Sequence, residues 1–116
     1  MPGQCVVHGA TLRGVEAVPV EVEVVVGNGM PGMFIVGMPD AAIQESRERV
    51  RAAIRASGFS MPNERVVVNL APGSLRKTGS GFDLPIAVGI LIATGQVDPL
   101  HARGRLLVGE LSLEGA

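Results

Sequence analysis

The sequence predicts an α+β fold, a mixed β-sheet with two main helices packed on one face, and three stretches predict it. Residues 18–26, VPVEVEVVV, begin by alternating valine with glutamate in the period of a strand. Residues 41–57, AAIQESRERVRAAIRAS, switch to the period of an amphipathic helix. Residues 84–93, LPIAVGILIA, are apolar on every side, so a helix there must be packed on both sides.

Taken in order, CVVHGATL (Cys5 to Leu12) mixes small and β-branched residues and ends at Arg13-Gly14, a strand and its turn. The strand Val18 to Val26 carries Val20, Val22 and Val24 on one face and Glu21 and Glu23 on the other. GNGMPG then connects it to a short apolar strand, Met33 to Val36. Three strands with short links predict an antiparallel meander.

Asp40 is placed to cap the first helix and Gly58 to stop it after Ser57. Ile43, Val50, Ala53, Ile54 and Ser57 share its apolar face, and Glu45 with Arg49 makes an i,i+4 pair. Arg47, Arg51 and Arg55 form a basic row, and Arg47, between Ile43 and Val50, is the arginine expected to have a specific partner. RVVVNL (Arg65 to Leu70) is nearly continuous in apolar residues, as a strand covered on both faces would be.

A long loop, APGSLRKTGSG, leads to the second helix, where Asp83 stands as N-cap and Pro85 is tolerated in the first turn. Gly95 ends that helix, and RLLVGELSL (Arg105 to Leu113) reads as a last strand. The predicted order is β-β-β-α-β-α-β in one domain spanning residues 1–116.

Composition narrows the function classes. With 47% hydrophobic and 18% charged residues and a net charge of -1, the chain has the balance of a soluble globular protein. Overall charge supplies no attraction to nucleic acid or membrane. The single cysteine, Cys5, excludes an intramolecular disulfide or a cysteine-built zinc cage and fits a reducing cytoplasm. The N-terminal residues lack an export-signal pattern, and the longest apolar run is too short to span a bilayer. With no Trp or Tyr and only three Phe, an aromatic platform for single-stranded bases is not expected.

The stretch LRKTGSGFD (Leu75 to Asp83) holds the densest cluster of reactive side chains. A nucleotide-binding P-loop needs its lysine and hydroxyl directly after the last glycine, at the start of a helix. Here Lys77 and Thr78 precede Gly79, the wrong order. A serine-lysine dyad of Ser80 with Lys77 requires a desolvated, deprotonated lysine within reach of the hydroxyl, and sequence proximity alone does not supply that. The remaining reading is structural: Gly79 and Gly81 shape the turn that lets Asp83 cap its helix. His8 and His101 lack partners at metal-ligand spacing, and Glu110 sits in an apolar stretch facing either a cation of this loop or solvent.

The segments PVEVEV, GMPDAAIQESRERVRAAI, NLAPGSLRKTGSGFDLPIAVGIL and LLVGELSLEG together resemble the N-terminal domain of magnesium-chelatase-like AAA+ ATPases of the YifB/ComM type. The resemblance spans almost the whole chain. It implies a Lon-protease-like domain of the ribosomal protein S5 domain 2-like superfamily, followed in the parent by an ATPase module that binds ATP and Mg and forms a homo-oligomeric ring, with some members moving DNA branches in natural transformation. In Lon-type proteases the loop resembles K-D-G-P-S-A-G, so the nucleophile position falls on Gly81 and Ser80 falls where the protease has proline. The resemblance therefore implies a non-proteolytic accessory domain with no cofactor of its own. Its expected partners are the downstream ATPase module and DNA, met through Arg76, Lys77, Arg47, Arg51 and Arg55, in the cytoplasm and away from membranes. The competing enzyme reading is a serine-lysine hydrolase using Ser80 and Lys77.

Overall fold

The computed structural model describes residues 3–116. Strand β1 (Gln4–Arg13) and strand β2 (Glu16–Gly27) form an antiparallel hairpin with Arg13 opposite Glu16. Only Gly14 and Val15 lie between them. Gly14 takes a φ of 66°, the positive value that the first central residue of a II′ turn requires. Strand β3 (Gly32–Val36), helix α1 (Ala41–Ala56) and strand β4 (Arg65–Ala71) follow, then helix α2 (Asp83–Ala93) and a 3-10 turn at Pro99–His101.

The sheet order is β1-β2-β4-β3, which corrects the expected meander. Strand β4 occupies the slot beside β2, antiparallel to it, and β3 pairs with β4 in parallel. The four-residue link 28–31 crosses that slot, because two strand spacings are only about 10 Å and four extended residues reach about 13 Å. A short link thus fixes proximity without fixing adjacency. Strands β3 and β4, being parallel neighbours, need the crossover that α1 provides.

Both helices lie on one face. There the alternating residues Val20, Val22 and Val24 of β2, Val66, Val68 and Leu70 of β4, and Met33 and Ile35 of β3 are buried. Ile43, Val50 and Ile54 of α1 and Ile86 and Ile90 of α2 complete one core. Eight of the eleven α2 residues are buried, since this helix packs on β1, β2 and α1 together. Gly89 makes that approach possible: a Cβ there would stand 2.6 Å from Val24 Cγ2.

Two further expectations are corrected. Strand β4 is covered on one face only, with Val67, Asn69 and Ala71 half-buried, because no layer packs on the far side. Residues 105–113 form no regular strand. Leu106 makes a single parallel bridge with His8 of β1, after which the backbone turns to the entrance of α2. Gly109 N donates to Gly81 O and Leu84 N donates to Gly109 O, so hydrogen bonds a ladder would use go to that entrance. The segment is a strap across β1 and α2. Among the described residues, no helix is long and apolar enough to cross a membrane.

Candidate functional site

The loop between β4 and α2 is clasped to the turn between β3 and α1. Lys77 N donates to Met38 O and Asp40 N donates to Lys77 O, each at 3.1 Å, forming an isolated parallel bridge around Pro39. The Asp40 carboxylate serves both loops. Its Oδ1 accepts from Ile43 N at 2.9 Å, capping α1 as the sequence predicts, and its Oδ2 accepts from Gly79 N at 3.0 Å. Thr78 N donates to Thr11 Oγ1 on β1 at 3.0 Å.

Lys77 is the main correction at this site. Expected as an exposed cation, it has 0% of its surface accessible. Its ammonium donates to Gly37 O at 2.7 Å and to Pro72 O. Among the described residues no carboxylate forms a salt bridge with it, and burial pushes its pKa below the ordinary lysine value. The apolar stem lets a lysine pass through packed side chains to backbone oxygens beyond, a destination that loop composition does not disclose. Both carbonyls already hold the ammonium, and Ser80 Oγ is not among its partners. Ser80 instead accepts Asp83 N through its backbone carbonyl at 3.3 Å.

Position 81 is crowded in another way. A Cβ built on Gly81 would meet Val108 Cγ1 at 3.1 Å, so the strap lies over the place where a side chain would project. Gly79 has a φ of 92°, a conformation suited to glycine, and faces open space.

Asp83 does not cap its helix, contrary to expectation. It is the first helical residue, and the cap position belongs to Phe82, which makes no side-chain cap bond. The carboxylate is fully buried beneath α1. It accepts from Ser46 Oγ at 2.5 Å, from Arg49 Nε at 2.6 Å and Nη2 at 3.1 Å, and from Leu111 N of the strap at 3.0 Å. One carboxylate therefore joins both helices and the strap. The hydrogen bonds that Arg49 donates to Asp83 raise the Arg49 pKa above its already high ordinary value.

Arg49, rather than Arg47, is the arginine with a specific partner. Arg47 is exposed and donates from Nε to Gln44 O of its own helix at 3.0 Å. The sequence signal for the node was Ser46: three residues after Ile43 and four before Val50, it lies on the buried stripe, where a hydroxyl needs a partner. The expected face member Ser57 is exposed at the helix end.

Of the remaining expected contacts, Arg76 and Arg55 are exposed, while Arg51 pairs with Glu48 at 3.1 Å. Arg51 and Arg55 line a cleft of about 260 Å³ together with Asn63 and Glu64. The structure separates them from the Lys77 loop's role, since Lys77 faces inward. His8, His101 and Glu110 are exposed, and Glu110 contributes a weak electrostatic pull on Arg49. Cys5 lies half-buried on β1, and burial raises its thiol pKa. Among the described residues no three His, Cys, Asp or Glu side chains converge as a metal site.

The chain can be compared with known proteins on this basis. The family model for subunit ChlI of Mg-chelatase matches residues 22–116. YifB of Salmonella typhimurium is 44% identical over 111 residues, covering 96% of this chain and 22% of its own length. YifB of Escherichia coli is 43% identical over 111 residues, with the same coverage. The competence protein ComM of Haemophilus influenzae is 44% identical over 110 residues, covering 95% of this chain and 22% of its own. The chain thus spans about a fifth of the length of these relatives. The chain belongs to the family of subunit ChlI of Mg-chelatase and corresponds to the N-terminal domain of its YifB/ComM type.

Proposed function

We propose that this domain is a non-catalytic accessory module of a magnesium-chelatase-like AAA+ ATPase, assisting assembly of the ATPase ring or its engagement of DNA. The observation that carries the reading is the burial of Lys77. A lysine held by two carbonyls, with no bond to Ser80, serves architecture rather than proton transfer. Val108 over Gly81 supports the same reading, because the position where a Lon-like relative would carry its nucleophile has little room for a side chain. The domain is on this view a non-proteolytic member of the ribosomal protein S5 domain 2-like superfamily.

The residues here do not fit ATP with magnesium. Lys77 precedes its glycine and is sealed, and the described residues offer no acidic cluster for the metal. Nucleotide chemistry is assigned to an ATPase module elsewhere in the parent protein, the direct partner of this domain in a cytoplasmic homo-oligomeric ring. The name of ComM, a competence protein, supports a parent that handles DNA.

Two measurements test the reading. A serine-reactive phosphonate probe is expected to leave Ser80 unlabelled, and stoichiometric labelling there would establish the serine-lysine hydrolase instead. Salt-dependent binding to branched DNA is expected to weaken on Arg76→Ala or Arg55→Ala, each lost phosphate contact lowering the salt slope by about one. An absence of DNA binding at low salt would leave assembly as the role.

A further inference from the structure

The last turns of α1 border a cleft that offers what the sealed Lys77 cannot, cations open to solvent. Pro31 and Gly32, at the entry of β3, form one wall, and Asn63 and Glu64, just before β4, form another. Gly32 N donates to Glu64 O at 3.4 Å, which ties the two walls together before any ligand arrives. Arg51 and Arg55 line the α1 side, one helical turn apart and hence about 6 Å along the axis.

The charges around the cleft favour an anion. Arg47 extends the row by one more turn of α1. Arg65, the register partner of Gly32, holds its guanidinium 4.4 Å from the Phe34 ring centroid on the open face of the sheet. Against these four cations stand two carboxylates, Glu48 and Glu64, both exposed, while Glu45 is drawn to Arg49. The neighbourhood is positive in a chain whose net charge is -1. Glu48 meets Arg51 at 3.1 Å, but its side chain is 81% exposed, and an ion pair so open to water is readily exchanged for another anion. Glu64 also borders two adjacent hollows, beside Gly95 and beside Gln96, so its carboxylate has room to swing aside. The negative end of the α1 dipole is muted, because the carbonyls of Ala53, Ile54 and Arg55 accept from Ser57 N, Phe59 N and Gly58 N.

We propose that this cleft seats one phosphate group of a DNA backbone, held by Arg51 and Arg55 with the Asn63 side-chain amide as a further donor. Planar guanidiniums present paired N–H groups that match phosphate oxygens, which a carboxylate-bearing peptide satisfies less fully. Among the described residues no aromatic ring lines the cleft, so the contact positions a strand without reading its bases. This site rests on the DNA half of the function above and locates it.

Inorganic pyrophosphate, titrated while amide chemical shifts are followed, is expected to move Gly32, Arg51, Arg55 and Asn63. Branched DNA at low salt is expected to bind Arg51→Ala and Arg55→Ala at least about fivefold more weakly than wild type. Arg13→Ala, which removes the same charge at the β1–β2 hairpin, is expected to stay within about twofold. Glu48→Gln and Glu64→Gln each remove a competing carboxylate and are expected to tighten binding by about twofold or more. Circular dichroism confirms that each variant is folded. Equal losses from Arg13→Ala and Arg55→Ala, glutamine variants that bind no better, or a glutamate-rich peptide that occupies the cleft more tightly than DNA would each overturn the site and leave DNA engagement standing. Pyrophosphate shifts in the cleft without DNA binding would overturn DNA as the source of the phosphate, and the DNA reading with it.

Discussion

Replacing Asp83 by asparagine tests the node that joins the two helices to the strap. The substitution keeps size and shape but exchanges one carboxylate oxygen for an NH2 group. If that group takes the Oδ2 position, it faces the Arg49 Nε and Leu111 N donors at 2.6 and 3.0 Å. If it takes the Oδ1 position, it faces the Ser46 hydroxyl and Arg49 Nη2 at 2.5 and 3.1 Å. Donor meets donor either way. Removing one charge of a buried pair costs about 3–5 kcal/mol, and the lower end applies because the Arg49 side chain keeps 19% exposure and can be partly rehydrated. A lost hydrogen bond to the neutral partners adds about 1 kcal/mol, for a total near 4 kcal/mol. For a chain of 116 residues that corresponds to a fall in Tm of roughly 16 °C. Thermal unfolding followed by circular dichroism measures it, and Arg49→Met with the double variant closes a cycle whose coupling is expected to exceed about 2 kcal/mol. An Asp83→Asn protein melting within about 3 °C of wild type would refute the reasoning.

Other perturbations follow from the same contacts. Lys77→Met leaves the carbonyls of Gly37 and Pro72 without the ammonium and is expected to cost about 2 kcal/mol in urea unfolding. The folded-state pKa of Lys77 lies below its unfolded value, so the unfolded chain holds more protons between the two, and its contribution to stability rises with pH across that alkaline window. Lys77→Met is expected to abolish that rise, seen as a flatter pH profile of unfolding free energy. Gly37→Ala places a Cβ 2.1 Å from Leu70 O at a φ of 103° and is expected to cost about 3 kcal/mol or more. Gly14→Ala, at a φ of 66° with nothing within 4 Å, costs about 1 kcal/mol, and comparative melting separates the two. The raised thiol pKa of Cys5 leaves less thiolate at neutral pH, so iodoacetamide should modify the folded protein more slowly than a free cysteine, the gap narrowing as pH rises.

The α+β class, both helices and four of the five expected strands were legible, because each depends on local period and on residues such as Asp40 and Gly58 that act within their own turn. Sheet order was not. The insertion of β4 between β2 and β3 is a long-range pairing, and short links are compatible with both arrangements. RLLVGELSL has the composition of a strand, yet its backbone groups found partners at Gly81, Leu84 and Asp83. The site was legible as a place and misread in its directions. Lys77, Asp83 and the α1 arginines were singled out, but whether a charged side chain turns inward depends on carbonyls and hydroxyls that converge from distant segments. Lys77 was expected outside and is inside, and Arg49 was noted only for its helix neighbour Glu45.

The clasp between residues 38–40 and 77–79 changes how this glycine-containing loop behaves in time. The amides of Lys77, Thr78 and Gly79 are each bonded, to Met38 O, Thr11 Oγ1 and Asp40 Oδ2, partners on two separate parts of the chain, β1 and the turn before α1. Freeing any one stretch of the loop requires parting it from β1 and from the start of α1 together. These amides therefore exchange with solvent deuterium by cooperative opening of the core rather than by local fraying. A protease or an inserted peptide finds its entry at the Gly14-Val15 tip, not at the loop whose composition advertises flexibility.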